Sequence, residues 1–191
     1  MLDGLLRRIA LLANDDDATL YPFRRALYHE DVQGETIAAL LQSLGVAPAE
    51  PASVGPAASV SHNDALHFPG GNFTQGWSDA DGFAWPDELP PQKVYVPAFE
   101  MDAALVSNAQ YLEFVEDGGY EHPAYWSAAG RQWLMMQERS APRYWSRHAV
   151  TRSWVVSRFG AERTLNPDEP VRHVTLFEAQ AWCVWAGRRL P

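Results

Sequence analysis

Cysteine is almost missing from this sequence: of 191 residues only Cys183 carries a thiol, so no internal disulfide can form. A chain without disulfides suits a reducing compartment, and a cytoplasmic setting is expected. Lysine is as scarce, with Lys93 alone against fourteen arginines, and no basic cluster offsets a formal net charge of −9. Nucleic-acid binding, which needs a concentrated basic face, is therefore not expected. Long hydrophobic runs are absent too; none approaches the ~18–20 residues of a membrane span, and Met1-Leu2-Asp3-Gly4 does not read as a signal peptide. With 47% hydrophobic and only 20% charged residues, the composition excludes a disordered tail or a coiled coil. A folded chain with a real core remains, and it is rich in aromatics: eight tryptophans, seven tyrosines and eight phenylalanines.

The order of segments suggests two parts. Residues 2–13 place Leu2, Leu5, Leu6, Ile9, Leu12 and Ala13 on one helical face. Asp15-Asp16-Asp17 then supplies cap and first-turn carboxylates for a second helix, with Pro22 expected in its first turn. Its apolar positions are Phe23, Leu27, Ile37, Leu40, Leu41 and Leu44, and Gly45 is the stop. Gly34 inside it costs about 1 kcal/mol relative to alanine, which predicts a local need for a small residue. Residues 46–64 read as a linker, its Pro/Ala/Ser-rich run covering 46–61. The resulting division is 1–45, linker 46–64, and 65–191.

The third part holds every tryptophan. Strand-like runs are expected at Leu66–Phe68, Lys93–Phe99 and Arg172–Leu176. Helices are expected at Ser107–Glu116, with Ala109, Leu112, Phe114 and Val115 inward, and at Phe177–Ala186. Thr175 with Glu178 three residues on forms a capping box for the latter. Stretches 70–92 and 117–170 read as long irregular connections held by aromatic packing or a bound ion.

The most informative stretch for chemistry is Tyr28-His29-Glu30-Asp31-Val32-Gln33-Gly34-Glu35. Residues four apart share a helix face, so His29 and Gln33 point the same way. Two imidazoles at that spacing grip one metal ion; here an amide, a much weaker ligand, takes the second place. The plain alternative is a solvated or intersubunit helix face. Gly70-Gly71 reads as a turn rather than a phosphate loop, and Asp79, Asp81, Asp87 and Glu88 as a solvated acidic loop rather than a calcium site. Cys183, between Trp182 and Trp185, reads as a buried structural thiol. His62, His67, His122, His148 and His173 are scattered with no i,i+4 pair.

An ordered series of motifs resembles one family. It runs through Val96-Pro97-Ala98-Phe99, Val106-Ser107-Asn108-Ala109-Gln110-Tyr111-Leu112-Glu113-Phe114-Val115, Gly118-Gly119-Tyr120 and Tyr125-Trp126-Ser127. It continues with Pro170-Val171-Arg172-His173-Val174 and Phe177-Glu178-Ala179-Gln180-Ala181, and ends in Ala186-Gly187-Arg188-Arg189-Leu190-Pro191. The series resembles the first half of a formylglycine-generating-enzyme (sulfatase-modifying factor) domain, a C-type-lectin-like fold. The helix from Leu27 to Gly45 resembles the last helix of a DinB-like four-helix bundle. The resemblance thus implies an α+β fold: the C-terminal part of a DinB-like bundle followed by half of a lectin-like domain. That combination is similar to the ergothioneine-type sulfoxide synthases and selenoneine synthase, and the His-Glu-Asp-x-x-Gly-Glu helix is most similar to the selenoneine branch.

The resemblance implies a non-haem iron(II) enzyme that uses dioxygen to join a thiol or selenosugar donor to the imidazole of hercynine or histidine. Its iron sits on three histidines. The first maps onto His29, the second onto Gln33, and the third would precede Met1. Val32 and Pro86-Asp87-Glu88 also depart from the family pattern. The family's sequence runs on beyond the equivalent of Pro191, so a fragment, inactive alone, of a longer iron oxidoreductase is expected. Two other readings stay open: a non-catalytic lectin-like module with a degenerate metal site, and a formylglycine-generating oxidase.

Overall fold

The computed structural model describes residues 2–11, 17–48, 65–78 and 83–191. Two compact units emerge: Met1–Leu40 with Leu66–Met101, and Leu41–Ala65 with Asp102–Pro191. Among the described residues no helix is long and apolar enough to cross a membrane. The Asp15-Asp16-Asp17 cap, most of the 46–64 linker, Leu12, Ala13, His62, Asp79 and Asp81 lie outside the described residues or side chains.

The first unit opens with helix α1 (Leu2–Ala10) and all but the last turn of helix α2 (Asp17–Leu44). Pro22 is not in the first turn of α2 as expected: the helix begins five residues earlier, so the proline sits inside and leaves the Ala18 carbonyl without its usual N–H. Helical spacing on α2 is as the sequence suggests, and Gly45, at φ 67°, ends it in the left-handed region. Gly34 has no packing reason to be small, because a Cβ there would meet nothing within 4 Å. The apolar face of α2 is largely open, with Leu27, Ile37 and Leu40 about half exposed. Its contacts within this unit include aromatics: Phe83 stacks on Tyr21 at 5.1 Å and lies tilted against Tyr28 at 4.8 Å, and Trp85 meets Phe83 edge-on at 5.3 Å.

Two small two-stranded ladders complete it. Strand β1 (Ala65–Phe68) pairs with β4 (Phe99–Asp102), and β2 (Gly71–Gln75) pairs antiparallel with β3 (Gln92–Val96), Gly71 opposite Val96 and Thr74 opposite Lys93. The strand expected over Lys93–Phe99 is therefore two, divided at Pro97, which has no N–H to continue a ladder. Stacked Phe68 and Phe99 rings, 4.8 Å apart, tie β1 to β4. The stretch 70–92 is not irregular throughout: it holds β2 and a 3-10 turn at Pro86–Glu88, where the Glu88 carboxylate accepts the Trp85 N–H at 2.7 Å.

The second unit carries the core. Helices α3 (Asn108–Glu116), α4 (Ala128–Gln137) and α5 (Leu176–Trp185) surround Tyr111, Phe114, Tyr120, Trp126, Ala181, Trp182 and Cys183. The face of α3 turned inward is Asn108, Tyr111 and Phe114; of the expected set only Phe114 is fully buried. Both α3 and α5 start on capping boxes, Ser107 with Gln110 and Thr175 with Glu178. Four buried or half-buried indoles each place their N–H: Trp126 on the Gly119 carbonyl, Trp182 on Gln110, Trp185 on Asp117 and Trp154 on Glu116. The expected irregular stretch 117–170 instead contains α4 and a three-stranded antiparallel sheet, β5 (Trp145–Arg147), β6 (Trp154–Arg158) and β7 (Ala161–Thr164). Conversely, Arg172–Leu176 is not a strand: His173 takes φ 62° and Thr175 is already a helix cap.

Gly119 lies against the flat of Phe114, where an added Cβ would come 2.1 Å from a ring carbon. Gly119→Ala is expected to lower stability by about 1–3 kcal/mol through overpacking, whereas Gly34→Ala on the open helix raises it by about 0.5–1 kcal/mol. Urea denaturation of the two variants, side by side, checks both signs.

Candidate functional site

His29 and Gln33 fall one turn apart on α2, within a run that is exposed from Leu27 to Leu40. The nearest packing is that of Tyr28 on Phe83. Thr36, one turn on, turns its hydroxyl back to the Val32 carbonyl at 2.8 Å, a bond internal to the helix. Among the described residues no three histidine, cysteine, aspartate or glutamate side chains come together as a metal would require. One imidazole and one amide are an incomplete donor set for iron, so the described residues do not fit a three-ligand centre by themselves.

The remaining candidates resolve into structural roles. Asp87 and Glu88 sit in a 3-10 turn where Glu88 caps Trp85. Cys183 is buried and free, and burial pushes its thiol above the ordinary value although Arg188 opposes this. His67 lies 3.9 Å from Glu100, both exposed. His122 stacks on Tyr125 at 4.7 Å. His148 accepts the Thr151 N–H at its Nδ1 atom, 3.1 Å away.

Sequence reasoning placed Glu178 at a cap but not in the core, and it is fully buried. One carboxylate oxygen accepts the Tyr120 hydroxyl at 2.6 Å; the other accepts the Thr175 N–H at 2.7 Å and its hydroxyl at 2.9 Å. Tyr111 adds its own hydroxyl, 3.4 Å from both the Tyr120 oxygen and the Glu178 carbonyl. Beside this network, a cavity of about 600 Å³ is bounded by Tyr125, Trp126, Cys183, Arg188 and Arg189, with Arg188 ion-paired to Asp102. No sequence spacing could have announced the Tyr120–Glu178 pair, whose partners are 58 residues apart.

Two consequences can be measured. Glu178→Gln keeps the shape but turns an amide donor toward one of three donors, and is expected to cost about 1.5–3 kcal/mol, read by chemical denaturation. Burial lifts the Tyr120 and Tyr111 phenols well above their usual 10.0, so the folded chain holds protons that the unfolded chain releases. Stability contributed by these phenols is whole below that value and falls as pH rises past it. Tyr120→Phe should flatten this alkaline slope in a pH series of melting curves.

Comparison with known proteins supplies the family. The sulfatase-modifying factor enzyme 1-like domain matches residues 50–191. The hercynine oxygenase of Mycolicibacterium thermoresistibile is 36% identical over 182 residues, 92% of this chain and 39% of its own length. The hercynine oxygenase of Mycobacterium tuberculosis is 33% identical over 188 residues, 95% of this chain and 43% of its own. The formylglycine-generating enzyme of Streptomyces coelicolor is 31% identical over 165 residues, 75% of this chain and 49% of its own. The chain thus spans about two fifths of the length of these hercynine oxygenases. On the match across residues 50–191, this chain belongs to the family of sulfatase-modifying factor enzyme 1-like domains.

Proposed function

We propose that the chain is part of a dioxygen-using, non-haem iron oxidoreductase of the hercynine oxygenase kind. Such an enzyme would form a C–S or C–Se bond on the imidazole of hercynine or histidine, with a thiol or a selenosugar as donor. The observation that carries this reading is coverage. The alignments with the two hercynine oxygenases leave out too few residues to miss α2, and so take in His29. The formylglycine-generating enzyme alignment leaves a quarter of the chain out, and the domain match itself begins at residue 50, after α2. A helix shared with these two hercynine oxygenases and lying outside the common domain favours their chemistry over sulfatase-cysteine oxidation.

In this reading residues 1–45 belong to a DinB-like helical domain, 46–64 link it, and 65–191 are the first half of the lectin-like catalytic domain. His29 and Gln33 are this chain's contribution to a metal site. The second reading, a binding module without turnover, is favoured by Gln33 itself, because the amide replaces an imidazole.

The test has two arms. Anaerobic titration of the 191-residue chain with Fe(II) should show weak binding that Gln33→His tightens roughly tenfold or more and His29→Ala abolishes; unchanged affinity in both variants removes α2 from the metal site. Oxygen uptake by the product of the whole reading frame should depend on hercynine or histidine together with a thiol or selenium donor. Iron binding without such uptake supports the binding module instead.

A further inference from the structure

The second unit holds a cleft that plays no part in the metal proposal. It lies where the chain leaves α4 and enters the β5–β6 hairpin, with a volume of about 460 Å³. Its floor is rigid: Ala141 and Pro142 are buried, and the Pro142 carbonyl accepts the N–H groups of both Tyr144 and Trp145 at 2.9 Å. Ser157 of β6 closes the opposite side, its N–H on the Tyr144 carbonyl at 2.9 Å.

The cleft's charge is out of keeping with the rest of the chain. The sequence carries 24 acidic against 15 basic residues, yet Arg139 and Arg143 line this space with no carboxylate partner among the described residues. Each guanidinium rests on a ring instead, Arg139 on Trp133 at 5.9 Å and Arg143 on Tyr144 at 5.1 Å. Elsewhere in the unit two further arginines, Arg158 and Arg172, share the single carboxylate of Glu169. Glu169 is held in place because its carbonyl accepts the Asn108 N–H, at 2.8 Å, in the first turn of α3. The hydroxyls of Ser140, Ser146 and Ser157, which also line the cleft, have no hydrogen-bond partner among the described residues.

His173 sits edge-on to Tyr144 at 4.7 Å. Its pKa is lowered first by burial and then by Arg172, Arg143 and Arg158, which marks a positive field at this end of the unit.

We propose that this cleft binds a small oxyanion, inorganic or the carboxylate or phosphate end of a compact organic molecule. Arg139 and Arg143 supply its charge-assisted bonds, and Ser140, Ser146 and Ser157 its neutral donors. Guanidinium forks match the paired oxygens of carboxylate and phosphate, and unpaired serine hydroxyls beside them complete the donor set such a group needs. The walls offered by Tyr144 and Trp145 leave room for an apolar body on the anion.

The experiment is calorimetric titration of the full chain, at constant ionic strength, with inorganic phosphate and separately with succinate. Arg139→Gln, Arg143→Gln and, as a charge-matched control in the first unit, Arg25→Gln are titrated alongside. The expected result is saturable binding of at least one anion, weakened about tenfold or more by either cleft substitution and less than about twofold by Arg25→Gln. Saturation by phosphate alone assigns a tetrahedral oxyanion, and by succinate alone a carboxylate. The proposal is overturned if neither anion saturates, or if the cleft variants bind as the parent does. Arg143 is exposed and Arg139 half-buried, both stand outside ion pairs among the described residues, and near-ultraviolet circular dichroism of the core tryptophans verifies that each variant is folded.

Discussion

A carboxylate buried among aromatic rings is costly unless every oxygen is satisfied, and Glu178 meets that condition with three donors drawn from two places in the sequence. Thr175 supplies two of them locally, which starts α5. Tyr120 supplies the third from across the core, next to the turn that brings Gly119 under Phe114. Placing Glu178 therefore fixes α5, the Gly118-Gly119-Tyr120 turn and, through Tyr111, α3 in a single arrangement. Three indoles of the core follow the same rule: Trp126, Trp182 and Trp185 are accommodated because their N–H groups reach a carbonyl or carboxylate. Few long regular elements are needed when side chains carry this much of the hydrogen bonding.

That economy explains which parts of the fold could be read in advance. Capping residues act within three positions, so the start of α5 was visible, as was the glycine that ends α2, whereas the Ser107–Gln110 box of α3 emerged only with the fold. The stretch 117–170 was not, because α4 has Met135 and Met136 exposed on it, β5 has only three residues, and the β5–β6–β7 sheet is made by pairing rather than by pattern. Pro97 and Pro22 were misread in opposite directions. The first divides a run that looked continuous, and the second is tolerated inside a helix expected to start at it. Burial of Glu178 depended on a residue 58 positions away and left no local signal.

The candidate sites divide the same way. His29 and Gln33 were legible because i,i+4 spacing on a helix is a local property, and the helix is there. Whether that pair works on a metal depends on groups that no spacing in these residues supplies. The arginine cleft is the opposite case. Its cations, Arg139 and Arg143, follow α4, and Ser157 comes from β6, so only the folded unit gathers them. An acidic chain can then present a locally positive surface, with net charge a poor guide to any single site.

The scarcity of two residue types has a practical reach. Lys93 is exposed on β3 in the first unit, and Cys183 is enclosed in the core of the second. Apart from the α-amino group, amine reagents thus have one side-chain target and thiol reagents one other, with opposite accessibility. An acylated Lys93 gives a fluorescent tag whose position needs no mutagenesis. The rate at which a thiol reagent reaches Cys183 then becomes a clock for how often the tryptophan core opens, timed in the unaltered chain.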